Sequence, residues 1–230
     1  MLEKSAHITG GSITNIYQSD LALLFGLYDQ IFFQSYFRDH FAGKLLFSLS
    51  PRMTRSAGKI IYPKNLKALT PEEERYELRI SVILLFSYES LPRDKVVNGI
   101  KTSDSLEALQ LVFEHELCHL IELHCFKESS CRRPRFQTLA FNIFGHTDSC
   151  HQLPVTAEIG REKYGISVGD EVSFLIDGEK YSGVISRITR RATVMVPHKS
   201  GDFQDREGKR YCKYYVPLSM LRKNRSENRK

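Results

Sequence analysis

The chain has 230 residues, 41% hydrophobic and 26% charged, enough apolar material for one large domain or a medium domain plus a small one. The N-terminal stretch MLEKSAHITGGSITNIY holds no apolar run of signal-peptide length, and the longest apolar stretch, ISVILLFSY, is too short to span a bilayer. These features lead us to expect a soluble, cytoplasmic protein with no membrane partner, and five cysteines, an odd count, argue for thiolate ligands or small buried residues rather than disulfides. The formal net charge of +6 is uneven. Residues 1–153 hold 17 Lys+Arg and 17 Asp+Glu, so residues 154–230 hold 16 against 10 and carry the whole excess. A neutral body with a basic end points to a polyanionic partner for that end.

Residues 18–41 place Leu21, Leu24, Tyr28, Ile31, Phe32 and Tyr36 at helical spacing, which predicts one amphipathic helix with Ser19 or Asp20 near its N-cap. KLLFSLS (44–50) and GKIIYP (58–63) read as short strands, 64–75 as a charged loop, and YELRISVILLF (76–86) as a strand continuing into a short buried segment. A helix is predicted from Ser105 to Phe126, a loop over Lys127–Arg133, and a second helix over 134–144, with Pro134 in its first turn and Gly145 past its end. A domain boundary falls at Leu153, with 154–168 as linker. Beyond it, DEVSFLI (170–176), EKYSGVISRI (179–188), RATVMVP (191–197) and KRYCKYYVP (209–217) alternate at close spacing. They predict a small β-barrel over 169–222, followed by a basic tail at 223–230. The fold class expected is α+β.

His115-Glu116-Leu117-Cys118-His119 reads H-E-x-x-H. Two histidines four apart share one helical face, so both imidazoles can reach one tetrahedral zinc ion at about 2.0–2.1 Å. The glutamate lies about 100° round the helix, where it can take a proton from the water that the metal activates. Leu109, Val112, Phe113, Leu117, Leu120, Ile121 and Leu123 make this helix apolar nearly all round, which predicts burial. Burying two histidines and a carboxylate is costly unless a metal compensates them. The competing reading is a pair of hydrogen-bonded core histidines.

The third ligand is open between two residues. His124 is excluded, because five residues beyond His119 it points about 140° away. Glu122 lies one turn too far along and suits a supporting salt bridge. Cys131, in the return loop, is favoured, and His146, at the far end of the following helix, is the alternative. That helix is about 16 Å long, so both of its ends cannot meet the metal. Behind these stand His151 or an acidic residue, and His146 and His151 could instead hydrogen-bond substrate or a transition-state oxyanion. A thiolate in place of a third imidazole lowers the charge of the centre and makes a weaker Lewis acid.

The succession YDQIFFQSYF, FSLSPRMTRSAGKI, YELRISVILL and HELCHLIE resembles the SprT-like zinc metalloproteases, relatives of the DNA-damage protease Spartan, over residues 18–150. SSC, RF, FGHT and a trailing segment ending in KYYVPLSML are similar to bacterial members whose β tail looks SH3-like. The resemblance implies a zincin-like domain and proteolysis of DNA-bound or DNA-crosslinked proteins. It implies Zn²⁺ held by His115, His119 and one later residue, with Glu116 as general base. Where the family has His-Gly-x-x-aromatic, this chain has CRRPRF, so the expected histidine falls on Cys131 or Arg132. Arginine stays protonated and cannot ligate, which supports Cys131.

In the basic end, Arg187, Arg190, Arg191, Lys209, Arg210 and Lys213 interleave with Tyr181, Tyr211, Tyr214 and Tyr215. That mixture suits a phosphate backbone with some base stacking, or else a barrel core with a charged wet face. The function expected is a zinc metallopeptidase acting on DNA-associated proteins, recruited by its basic β domain. The competing expectations are a non-proteolytic nucleic-acid-binding or transcription-associated protein with a structural zinc, and a protein-interaction module.

Overall fold

The structure, a computed structural model, describes residues 1–224, so most of the expected basic tail, 225–230, lies outside the described residues. Two helices, α1 (Gln18–Phe32) and α2 (Tyr36–His40), replace the single helix expected over 18–41. The chain breaks at Gln34 and Ser35, whose φ values are 52° and 64°. Asp29 makes the break favourable. Its buried carboxylate accepts hydrogen bonds from the N–H groups of Phe37 (2.9 Å) and Arg38 (3.0 Å), so a side chain of α1 satisfies the open donors of α2.

Three strands follow: β1 (Lys44–Ser50), β2 (Gly58–Ile61) and β3 (Arg75–Ser81). They form a sheet in the order β1-β3-β2, with β1 parallel to β3 and β2 antiparallel at the edge. Leu78 and Ile80 of the central strand are fully buried. At Ser81 the strand ends, because the Ser81 Oγ accepts from the Leu84 N–H (3.3 Å) and starts α3 (Val82–Phe86). The segment 76–86 is therefore half strand and half helix.

A hairpin of β4 (Lys95–Val97) and β5 (Ile100–Thr102) was not among the expected elements. It turns on Asn98-Gly99, with φ of 52° and 82°, the conformation that a two-residue hairpin loop demands. The long helix α4 (Ser105–Phe126) starts where the Asp104 carboxylate accepts from the N–H groups of Leu106 and Glu107, both at 2.9 Å. It ends at Lys127, whose backbone is left-handed. Then α5 (Pro134–Phe144) runs to Gly145, at φ 70°. Helix α4 is the spine of the first unit, Met1–Leu153: it packs on β2, α3 and α5, and Phe113 stacks on both Tyr28 and Phe47.

Residues 154–168, expected as linker, contain α6 (Thr156–Tyr164). It buries Ile159, packs on the sheet that follows, and belongs to the second unit, Pro154–Lys230. That sheet comprises β6 (Glu171–Ile176), β7 (Glu179–Ile188), β8 (Ala192–Pro197), β9 (Phe203–Gln204), β10 (Arg210–Val216) and β11 (Arg222–Lys223). Every pairing is antiparallel and the order is β11-β6-β7-β8-β10-β9. Among the described residues β9 and β11 do not pair, so the sheet is open where a closed barrel was expected. Its core face, with Val172, Phe174, Ile185, Val194 and Val216, is covered by Ile166, Leu218 and Leu221 from flanking segments rather than by strand closure. Among the described residues no helix is long and apolar enough to cross a membrane.

Candidate metal centre

His115 and His119 project from one face of α4, with ring centroids 4.9 Å apart. The loop between α4 and α5 returns Cys131 to the same place. One donor atom from each of His115, His119 and Cys131 lies within 4.8 Å of the others, close enough to hold a metal ion. A tetrahedral ion with bonds of about 2.0–2.3 Å would draw such atoms to roughly 3.5 Å. Phe136 of α5 closes one side, its ring 4.9 Å from His115 and 4.4 Å from His119. Cys131 packs against Cys118, Phe136 and Ala140 at the junction of the two helices.

A chain of hydrogen bonds fixes the tautomer of His119. Its Nδ1 lies 2.6 Å from the Ser129 Oγ, and the Ser129 hydroxyl donates to Glu122 Oε2, also at 2.6 Å. A carboxylate only accepts, so the serine proton is committed to Glu122 and the serine oxygen accepts from His119 Nδ1–H. The Nε2 lone pair is left for a metal. Arg135 donates from Nε to the other oxygen of the fully buried Glu122 (2.7 Å). Glu122 is thus the ion-paired support expected, and Ser129 links it to the ligand. The serine escaped sequence reasoning because its partner is set by the return of the loop.

Two further observations fit a metal. His115 Nδ1 is buried with no hydrogen-bond partner. Burial, with the neighbouring His119 adding to it, pushes the His115 pKa down to about 3, and burial pushes His119 down to about 4. Both rings are therefore neutral at physiological pH, the form with a lone pair to give.

Glu116, next to His115 in α4, is buried, and desolvation pushes its pKa up to about 8, opposed by the backbone of Ile60. It rests on the edge strand β2. A Cβ placed on Gly58 would meet Glu116 Oε1 at 2.5 Å and Val112 Cγ1 at 2.9 Å. The glycine, at the first position of β2, makes room for the carboxylate.

The other histidines are engaged elsewhere. His146 Nε2 donates to Glu114 (2.8 Å), which also accepts from Tyr28 Oη (2.6 Å). This buried network ties the end of α5 to α1 and α4. His146 is not among the converging donors. His151 donates from Nε2 to the Arg55 carbonyl (2.8 Å) and accepts at Nδ1 from Leu153 N–H (3.3 Å), so both nitrogens are in use. His124 sits among Tyr36, Phe37 and Phe41, away from the group, as its helical angle required.

The six cations singled out in the second unit are spread over strands, a turn and a loop. Register places Arg187 and Lys213 on the face of the sheet opposite its core. Arg190 and Arg191 occupy the β7–β8 turn, Lys209 the loop before β10, and Arg210 the start of β10. Tyr181 and Tyr214 pack with Phe174 on the core side, whereas Tyr215 is 63% exposed.

No protein-family model, curated protein or solved structure matches the chain.

Proposed function

We propose that the chain is a zinc-dependent metallopeptidase acting on DNA-associated proteins, with a zincin-like first unit and an SH3-like second unit that recruits it to nucleic acid. The observation that carries the proposal is the convergence of His115, His119 and Cys131 beside a buried carboxylate and an open strand edge. When bound, zinc would supply Lewis acidity and lower the pKa of water toward neutrality.

The remaining steps belong to the chain. β2 lies at the edge of the three-stranded sheet, so an extended substrate can add there as a further strand. That would carry a peptide bond past Glu116. Glu116 takes the proton of the attacking water and passes it to the departing amine nitrogen. Phe136 excludes water from one side of the centre, and Ser129 holds the ring of His119 in place.

A closed structural zinc site uses four protein donors. Among the described residues no fourth His, Cys, Asp or Glu joins these three, which favours an open, catalytic position over the purely structural reading. The test is cleavage of a DNA-bound protein by zinc-loaded enzyme. Glu116→Gln should keep the metal and abolish cleavage, while Cys131→Ser should lower zinc well below one per chain. Cleavage by Glu116→Gln at the wild-type rate would overturn the proposal.

A further inference from the structure

The face of the second unit's sheet turned away from its core carries an exposed ring among unpaired charges. Antiparallel partners share a face, so Tyr215, Thr193 and Arg187 form one row across β10, β8 and β7. Lys213, Met195, Val184 and Glu171 form the next row. Tyr215 is 63% exposed and Val184 39%. Among the described residues the Tyr215 side chain has no hydrogen bond or ring contact, and neither Arg187 nor Lys213 has an ion pair. Lys213 instead lies over the ring of Phe203, 3.6 Å from its centroid. Glu171 is the one acid in the two rows, at the far end from Tyr215.

We propose that this face docks single-stranded DNA, with a base stacked on Tyr215 and the flanking phosphates held by Arg187 and Lys213. The proposal rests on the recruitment reading above and names its surface and ligand. Tyr215 and Arg187 are two strands apart, about 10 Å, so ring and guanidinium can serve neighbouring parts of one strand. Charge complementarity selects a polyanion, because a unit with 16 cations against 10 anions leaves these two unneutralised. The exposed ring selects a single strand, because a duplex already stacks its bases on each other and hides their faces. Val184 and Met195 select DNA over RNA, since Thr193 between Tyr215 and Arg187 is buried and the apolar pair beside it gives a 2′-hydroxyl nothing to bond.

Fluorescence anisotropy on the full zinc-loaded chain tests this with labelled oligothymidylate, its duplex with oligoadenylate, and oligouridylate, over a series of salt concentrations. Wild type should bind oligothymidylate more tightly than either of the others. Tyr215→Ala should weaken that binding about tenfold or more, and Tyr215→Phe should restore it. Arg187→Ala and Lys213→Ala should each reduce the log–log salt slope by about 0.7. Tighter binding of duplex, or equal binding of oligouridylate, would overturn the choice of ligand. Full binding by Tyr215→Ala would overturn the surface and leave recruitment to the turn residues Arg190 and Arg191. If wild type bound none of the three, the recruitment reading would fall as well.

Discussion

Gly58 lies against the carboxylate of Glu116, and the contact leaves no room for a methyl group. In Gly58→Ala both the Glu116 side chain and the Val112 methyl group must give way, so the base leaves its place against β2. A displacement of about 1 Å costs roughly 100-fold in rate. Steady-state cleavage should fall by that order at unchanged zinc content; full activity would show that the carboxylate need not sit against β2. Glu74 is another buried acid, away from the site. Burial raises its pKa, but hydrogen bonds from Lys127 and from Tyr76 (2.7 Å) outweigh it, and the net shift is downward. Its folded pKa is therefore below the unfolded value near 4.5. The stabilisation is present above that value and is lost as pH falls through the folded one. Lys127→Met should cost about 2 kcal/mol at neutral pH and flatten the acid limb of the stability curve, read by urea unfolding across pH. An acid limb as steep as wild type would place the dependence elsewhere.

At the scale of elements, the long helix and the one after it were legible because their signals are local. Asp104 supplies the N-cap of α4, apolar residues run along its length, Pro134 opens α5 and Gly145 closes it. The helix expected over 18–41 was misread for a reason visible in Asp29. Periodicity continues through Phe33–Ser35, yet Asp29 reaches forward to cap α2 and the chain must turn to let it. Asp29→Ala should therefore loosen α2 while sparing α1. We expect a loss of about 1–2 kcal/mol in unfolding free energy and faster amide exchange at Phe37 and Arg38. Unchanged protection at those two amides would rule out the cap. The hairpin at Asn98-Gly99 carried a strong local signal, but its strands are only three residues each and show little alternation.

At the scale of the whole molecule, every donor of the candidate centre lies within Met1–Leu153. Chelation should therefore destabilise that unit alone. A metal at about 1,000 times its dissociation constant adds about 4 kcal/mol. Its removal should lower the first unit's melting temperature by about 10 °C in scanning calorimetry, with the transition of the second unit unmoved. A shift of both transitions, or of neither, would contradict a centre confined to the first unit. The sequence by itself determined the paired histidines, the glutamate between them, the buried helix that carries them and the basic excess of residues 154–230. Those features follow from helical period and composition, which need no knowledge of what packs against what. Tertiary structure alone decided that Cys131 rather than His146 returns to the donors, that Ser129 bridges His119 to Glu122, and that Gly58 seats Glu116. It also decided that Arg187 and Lys213 share a face of the sheet with the exposed Tyr215. Each of these depends on where a loop returns or how a strand pairs, and long-range closure of that kind leaves no periodic trace along the chain.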